Sequence, residues 1–284
     1  MTLLSERVYL AVKDLVRRVQ TTLPDDMKRA ILSLRDLELP EHVKVVVDVM
    51  IRNVELAERE QIPICQDTGT HIFYVRLGDE FPLRSEIAKI LTLAVQDATR
   101  EIPLRPNAVD PVTNKNTGTG TGPGIPLIDI ELVPGKELEI CYVARGGGCE
   151  LPTRAFSVPP EVGWEKLRKA VLKLVEKYSR FVCSPIVIGV GVGATIEHAV
   201  RIAEKALYLR KIGERHPDPK IAELEQELLE KCNKVGSGIQ GLRHGPTVLD
   251  IHIDYTCRHP ATFAIAITFS CWVLRRGVVK VTPC

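Results

Sequence analysis

The alternation of helix-like and strand-like segments after residue 160 is the feature that most constrains the fold. The sequence predicts a helix over residues 162–179, and a short apolar run predicts a strand over Ile186–Val190. A Gly-rich turn follows, and then come a helix over 195–210, a charged helix over about 218–231, and strands near 247–254, 262–270 and 277–282. Such an order indicates a mixed α/β (α+β) fold, in which helices flank mixed sheet elements.

The first sixty residues are predicted to be mainly helical. Ser5 is the expected N-cap of a first helix, whose apolar residues recur at helical spacing. Pro24 is expected to open a second helix that runs to about Leu37, and residues 41–59 form a third.

The next segment is predicted to contain strands. We expect a strand over His71–Leu77, a helix over Ser85–Glu101, and a hairpin that pairs Leu127–Val133 with Leu138–Val143 across Pro134-Gly135. With no internal repeat and no low-complexity tail, the whole chain, residues 1–284, is predicted to be a single domain with a helical region at about 1–60.

The composition excludes several classes of protein. The chain has 284 residues and a formal net charge of +2, from 38 basic and 36 acidic side chains, and no basic tract that would bind nucleic acid. Its longest uncharged runs, Phe181–Ile196 and Pro260–Leu274, are too short to span a membrane. The N-terminal residues do not resemble a secretory signal. Eight cysteines without an export signal therefore indicate metal binding or reactive thiols in the cytoplasm.

Three cysteines far apart in the sequence form a candidate metal site. Cys65 lies in Ile-Cys-Gln-Asp-Thr-Gly-Thr, Cys183 in Phe-Val-Cys-Ser-Pro, and Cys271 in Phe-Ser-Cys-Trp. Each follows an apolar stretch, where the chain leaves a buried strand or helix. Three thiolates can hold three irons of a 4Fe–4S cluster and leave the fourth iron open as a Lewis acid. The pattern suggests catalysis more than electron transfer, but spacing alone does not establish it.

The segment that begins at Cys65 is the densest polar cluster bordered by apolar sequence. One interpretation is a turn capped by Asp67, in which Thr68 and Gly69 serve the backbone geometry. The other combines a soft metal ligand, an amide and a carboxylate. Asp67 would then act as a base beside the cluster, and Gln66 would hold a substrate oxygen.

Two further segments are candidate substrate loops. Residues 102–126 have no predicted regular structure, and an ordered domain rarely keeps so long a loop unless the loop has a function. Arg105, flanked by a proline, is suited to bidentate binding of a carboxylate, although a surface arginine near Asn107 and Asn114 is usually only solvated. Gly146–Gly148 can present backbone N–H groups to an anion.

Two motifs are ambiguous. The run from Gly189 to Ala194 matches the Gly-x-Gly-x-x-Ala pattern of dinucleotide-binding loops, but the acidic residue expected about twenty residues later is absent. Close packing between a helix and a strand beside Cys183 explains these glycines better. His259 precedes the strand that ends at Cys271, and a structural and a catalytic role are equally open for it.

The other five cysteines divide into two groups. Cys141, Cys232 and Cys284 fit structural or incidental roles. Cys149 and Cys257 adjoin segments with candidate functions, but neither has the Cys-x-x-Cys partner that is usual in a zinc site.

Taken together, the motifs resemble those of one known family. The chain carries in one order Ile-Cys-Gln-Asp-Thr-Gly-Thr, Leu-Arg-Pro-Asn-Ala-Val-Asp-Pro-Val-Thr, Arg-Gly-Gly-Gly, the Cys183 segment, Arg-His-Pro and Ser-Cys-Trp. From about residue 45 onward it resembles the α subunit, or N-terminal part, of iron–sulfur-dependent hydro-lyases, the class I fumarases and L-tartrate dehydratases. One departure is Cys149, where a serine is expected after the three glycines.

The resemblance implies a role for each motif. It implies a 4Fe–4S cluster with one open iron in a cleft between two lobes, within a cluster and substrate-binding region at about 61–284. The implied ligands are Cys65, Cys183 and Cys271. The implied catalytic residues are Asp67 and His259, and the implied substrate-binding residues are Gln66, Arg105 and Gly148.

The resemblance also implies a function and a partner. We expect the α subunit of a fumarate hydratase, which hydrates fumarate reversibly to (S)-malate. Because the chain stops where fused family members continue, a separate β subunit is expected to complete the site, in a dimer of αβ pairs. The nearest alternative is an L(+)-tartrate dehydratase α subunit, and a more remote one is a non-catalytic iron–sulfur redox or sensor subunit.

Overall fold

The computed structural model describes residues 2–283, so the role expected for Cys284 lies outside the described residues. The chain divides into two compact units. Unit 1 comprises Met1–Pro24, Asn53–Gly147 and Arg275–Cys284, and unit 2 comprises Asp25–Arg52 and Gly148–Leu274. Both units combine helices with a four-stranded sheet, which confirms the predicted mixed α/β class. Among the described residues, no helix is both long and apolar enough to cross a membrane.

Most of the predicted elements are present. The α-helices over the described residues are α1 (Leu3–Thr21), α2 (Asp25–Leu32), α3 (Glu41–Glu60), α4 (Glu86–Glu101), α5 (Gly163–Tyr178), α6 (Ile196–Leu209) and α7 (Pro219–Val235). The strands are β1 (Thr70–Gly78), β2 (Leu127–Val133), β3 (Leu138–Arg145), β4 (Arg154–Val158), β5 (Ile186–Gly193), β6 (Val248–Tyr255), β7 (Phe263–Ser270) and β8 (Arg275–Val281).

Two helix ends differ from the prediction. Thr2 caps α1 instead of Ser5, because the Thr2 hydroxyl accepts a hydrogen bond from the Ser5 N–H at 3.2 Å. The second helix ends at Leu32 and continues only as a 3₁₀ turn over Ser33–Asp36. At this junction the Ser33 hydroxyl donates to the Ala30 carbonyl at 3.0 Å, a local bond that competes with regular helix geometry.

Unit 1 is built on a sheet with the strand order β2-β1-β3-β8. Apolar residues of α1, α4 and the sheet form one core, which includes Leu15, Phe73, Leu91 and Tyr142. The buried valines of α1 recur at helical spacing, so they lie on one face of that helix, which packs against this core.

The predicted hairpin between β2 and β3 is wrong. β1 lies between these strands, parallel to β2 and antiparallel to β3. The connection from β2 to β3 passes over the end of β1 at Gly78, where a Cβ atom would lie 2.3 Å from the Gly135 carbonyl oxygen. A Pro134-Gly135 turn therefore fits both a crossover and a hairpin, and the local sequence does not distinguish these two connections.

Unit 2 is built on a sheet with the strand order β4-β7-β5-β6. Apolar residues of α5 and α7 pack with the sheet in one core cluster, which includes Leu167, Ile188 and Leu228. Helix α6 packs separately through Ala199 and Ala203 against Ala264 and Ala266 of β7.

The glycines of β5 explain the approach of α6. The strand continues through Gly193, so the Gly-rich turn predicted after Val190 is wrong. A Cβ atom at Gly189 would lie 2.2 Å from the Ala203 carbonyl oxygen, and one at Gly191 would lie 2.1 Å from that of Ala199. The predicted close packing of helix on strand is confirmed, and these glycines do not form a loop that could bind a dinucleotide phosphate.

Candidate functional site

The Cys65 turn, residues 64–68, lies between α3 and β1 in unit 1. Its carboxylate is held by three donors. Oδ1 of Asp67 accepts from the Gly69 N–H at 3.0 Å and from Nδ2 of Asn107 at 3.3 Å. Oδ2 accepts from the Gly147 N–H at 2.8 Å. The bond from Gly69 is the turn cap that the sequence suggested, and the other two bonds connect this carboxylate to two distant segments.

Thr68 fixes the loop that carries Arg105. The buried Thr68 hydroxyl donates to the Arg105 carbonyl, and the Arg105 N–H donates to the same hydroxyl oxygen, both at 3.1 Å. The Asn107 N–H donates to the Arg105 carbonyl at 2.9 Å. The structure thus brings the backbone of Arg105 beside the Cys65 turn, while the Arg105 side chain is exposed.

The glycine-rich segment after β3 meets the same turn. Gly69 has a φ of +78°, and a Cβ atom there would lie 2.8 Å from the Arg145 carbonyl oxygen, so this position requires glycine. The N–H of Gly147 is used by Asp67. Gly148 and Gln66 are exposed, which suits the substrate contacts expected of them.

The other two candidate ligands lie together in unit 2. The Trp272 N–H donates to the Cys183 carbonyl at 3.2 Å, which places the backbone of Cys183 beside that of Cys271. The Cys271 N–H donates to Sγ of the buried Cys149 at 3.3 Å. Cys149, which stands where the family resemblance predicts a serine, therefore contacts the candidate ligand Cys271.

Two other cysteines are unsuited to metal binding. Burial raises the pKa of the Cys141 and Cys232 thiols to about 12, and a thiol must lose its proton to bind metal. Their positions in β3 and α7 fit the structural roles expected for them. Cys257 is exposed in the connection between β6 and β7.

His259 lies in the same connection and is exposed. Its Nδ1 atom accepts a hydrogen bond from the Ala261 N–H at 3.1 Å. Because Nδ1 acts as an acceptor, a neutral His259 ring carries its proton on Nε2. That edge of the ring can then donate to a substrate oxygen.

The chemistry of the three candidate ligands suits an iron–sulfur cluster. None of the seven described cysteines forms a disulfide, and Cys65, Cys183 and Cys271 are exposed or half-buried. The described residues contain no group of three or more His, Cys, Asp or Glu side chains that could hold a metal ion. The three thiols belong to both units, Cys65 to unit 1 and the other two to unit 2.

Several residues of this region make contacts that the sequence does not predict. The sequence predicts only a turn-geometry role for Thr68 and a solvated position for Asn107. It predicts no role for Gln20, which contacts the Cys65 turn. The available signal for Gln20 is a polar side chain on the apolar face of α1, four residues after the buried Val16.

Comparison with known proteins identifies the family. Residues 10–280 match the family model for fumarate hydratase (fumerase). The L(+)-tartrate dehydratase subunit alpha of Escherichia coli (strain UTI89 / UPEC) is 39% identical over 271 residues, which cover 95% of this chain and 89% of that protein. The putative L(+)-tartrate dehydratase subunit alpha of Methanocaldococcus jannaschii is 38% identical over 275 residues, which cover 95% of this chain and 96% of that protein.

These matches confirm the resemblance inferred from the motifs, and they extend it. The family match begins at residue 10, before the first motif, and so includes most of α1. The chain belongs to the fumarate hydratase family, a family of hydro-lyases.

Proposed function

We propose that this chain is the α subunit of a fumarate hydratase that interconverts fumarate and (S)-malate in the cytoplasm. The observation that carries the proposal is the carboxylate of Asp67, held by Gly69, Asn107 and Gly147 two residues after a candidate cluster ligand. The fumarate hydratase family match supports reversible hydration as the reaction to which this carboxylate would contribute.

Cys65, Cys183 and Cys271 are the proposed ligands of a 4Fe–4S cluster. Their support is the accessibility of their thiols, in contrast to the deeply buried Cys141 and Cys232. The bound cluster would supply a Lewis acid at the one iron that no cysteine holds.

Asp67 is the proposed base that removes the C3 proton of malate. Its three hydrogen bonds hold both carboxylate oxygens in place, so the orientation of the base is fixed before the substrate arrives. The C3 proton is very weakly acidic, and the negative charge that develops on its removal must be stabilised. The exposed guanidinium of Arg105 is proposed to bind a substrate carboxylate, with Thr68 fixing its backbone.

Three further groups are proposed to contact the substrate. The amide of Gln66, the backbone N–H of Gly148 and Nε2 of His259 are on exposed residues and can donate hydrogen bonds to substrate oxygens. The relatives are named as alpha subunits, which supports a separate β subunit for this chain. We propose that the β subunit supplies the acid that assists departure of hydroxide, in a dimer of αβ pairs.

Dehydration of L(+)-tartrate is the second candidate. It uses the same chemistry on a dicarboxylate with one more hydroxyl group. The names of the relatives at 38–39% identity favour it, whereas the name of the family match favours fumarate. A non-catalytic redox or sensor subunit would have no use for the oriented carboxylate of Asp67.

The test is to purify the chain anaerobically with its β subunit, count iron and sulfide, and compare hydration of fumarate with dehydration of L(+)-tartrate. We expect about four irons and four sulfides per αβ pair, with kcat/KM higher for fumarate. A preference for tartrate would replace the proposed substrate and keep the reaction class. A complex that turned over without iron would overturn the cluster assignment, and a loaded but inactive complex would favour the redox subunit.

A further inference from the structure

Gln20, near the end of α1, contacts both ends of the Cys65 turn. Its backbone carbonyl accepts from the Ile64 N–H at 3.0 Å. Its side-chain Nε2 donates to the Thr68 carbonyl at 2.8 Å. These two contacts flank the three residues with proposed functions, Cys65–Asp67, so one buried residue holds both ends of the segment that carries the ligand and the base.

The chemistry of the neighbours fixes the orientation of the Gln20 amide. Nη1 of the buried Arg275 lies 3.0 Å from Oε1 of Gln20 and can only donate. The Thr68 carbonyl can only accept, so Nε2 must face it. The second hydrogen of Nε2 points to the Tyr142 hydroxyl oxygen at 3.2 Å. A flipped amide would place a donor against Arg275 and an acceptor against the Thr68 carbonyl, so only one orientation is possible.

The network continues from Tyr142 to His71. The Tyr142 oxygen accepts from Gln20, and the Tyr142 hydroxyl shares a hydrogen bond with Nδ1 of His71 at 2.7 Å. Burial, with a smaller contribution from the charge of Arg275, lowers the pKa of His71 to about 4, so the ring is neutral at pH 7. Donation runs from Arg275 to Gln20, and from Gln20 to both Tyr142 and the Cys65 turn.

We propose that Gln20 is a positioning residue that orients Cys65 and Asp67 by holding the Cys65 turn through the Thr68 carbonyl. The proposal rests on the proposed function, because it gives Cys65 the role of a cluster ligand and Asp67 the role of the base. Gln20 contacts neither substrate nor cluster and acts only through the backbone of the turn.

The test is the variant Gln20→Glu. Glutamate keeps the length of the side chain and the contact with Arg275, but it places a carboxylate oxygen against the Thr68 carbonyl and repels it. In the cluster-free chain with its thiols reduced, we expect iodoacetamide to alkylate Cys65 at least fivefold faster than in the wild type. Cys183 and Cys271, read in the same digest by mass spectrometry, should change less than twofold.

Two variants separate positioning from general loss of stability. Gln96→Glu introduces the same change at a half-buried glutamine of unit 1 whose Nε2 contacts Thr121, away from the Cys65 turn. Tyr142→Phe perturbs the buried network but keeps the bond from Gln20 to Thr68. Both should leave the Cys65 alkylation rate within twofold of the wild type. A Gln20→Glu rate no faster than theirs would overturn the proposal.

The same variant is then tested in the αβ complex by the rate of iron loss during anaerobic gel filtration. We expect Gln20→Glu to lose iron at least fivefold faster than Gln96→Glu. If Gln20→Glu does not fold, Gln20→Met replaces it with the same expectation, and failure of both to fold would show that Gln20 serves the fold instead of the turn. The alkylation result does not depend on which substrate is turned over, so a wrong function and a wrong role for Gln20 give different outcomes.

Discussion

The two units each bury a polar network, and the two networks differ in charge. The network of unit 1 joins Gln20, Tyr142 and His71 to Arg275, which makes no ion pair among the described residues. The network of unit 2 contains two fully buried carboxylates. Glu225 pairs with Arg210 at 2.7 Å, and Asp250 pairs with Arg215 at 2.5 Å.

The two networks also differ in the segments of the chain that they hold in place. In unit 2 the carboxylates also accept backbone N–H groups, from Ile253 to Glu225 at 2.7 Å and from Gly213 to Asp250 at 2.6 Å. These bonds tie α7 and the connection between α6 and α7 to β6, and none of them reaches a residue with a proposed role in the reaction. In unit 1 the network ends on the Cys65 turn. We infer that the network of unit 2 stabilises the fold and that of unit 1 positions reactive groups.

The largest expected effect is on turnover, from Asp67→Asn. Asparagine can still cap the turn by accepting from the Gly69 N–H, so this variant separates the cap from the base. We expect kcat to fall by about 10²- to 10⁴-fold, the usual loss when a general base is removed. Iron content and the thermal midpoint should change little.

The matched control is Asp79→Asn, at the other end of β1, where the exposed carboxylate accepts from the Gly135 N–H at 2.8 Å. This variant should keep wild-type turnover. Near-normal kcat for Asp67→Asn in the αβ complex would show that Asp67 only caps the turn. The inference that the unit 1 network positions reactive groups, unlike that of unit 2, would then be wrong.

The next effect is on stability, from Glu225→Gln in unit 2. Removing the charge of Glu225 breaks its ion pairs with Arg210 and Arg215. Breaking a buried pair lowers the free energy of unfolding by about 3–5 kcal/mol. Urea denaturation should show this loss, while turnover per folded complex stays unchanged. Glu227→Gln removes a charge from two partly exposed ion pairs on the same helix, and it should lower the free energy of unfolding by less than about 1 kcal/mol. A loss of turnover in folded Glu225→Gln would contradict the purely structural role.

The third prediction concerns acid stability and His71. The pKa of His71 is lowered from 6.5 to about 4 by burial and by Arg275, so the unfolded chain binds more protons than the folded chain between these values. The free energy of unfolding should therefore fall as the pH drops from about 6.5 to 4, by about 3 kcal/mol from this residue, with no further loss below that range.

The variant His71→Gln isolates this contribution. Subtracting its unfolding free energy from that of the wild type at each pH removes the effect of the carboxylates, and the difference should decrease toward acid pH. A difference that stayed constant between pH 7 and 4 would contradict a neutral, buried His71 in the unit 1 network.

Local patterns were sufficient to predict most elements and the polar turn at Cys65. The apolar runs of β5 and β7 and the helical spacing of α1 are visible in the sequence, and so are Cys65 and Asp67 in one polar cluster. The pairing of strands was not predictable in the same way. The parallel register of β1 with β2 depends on contacts between segments about fifty residues apart, and the sequence at Pro134-Gly135 fits either topology.

The contacts that hold Asp67 and the Cys65 turn were not predictable for the same reason. Asp67 is bound by Asn107 and Gly147, which lie 40 and 80 residues away, and the Gln20 side chain reaches Thr68 over 48 residues. A single sequence indicates which side chains can react. Only the fold shows which distant amides and backbone groups orient them.

The most direct test of the account is the iron content of cysteine variants of the αβ complex. Cys65→Ser, Cys183→Ser and Cys271→Ser, each purified anaerobically, should hold less than about half of the wild-type iron, because each removes a proposed cluster ligand. Cys141→Ser and Cys232→Ser, which alter deeply buried thiols, should keep wild-type iron if they fold. Full iron in Cys65→Ser would contradict the central claim that the Cys65 turn carries a ligand and the base together.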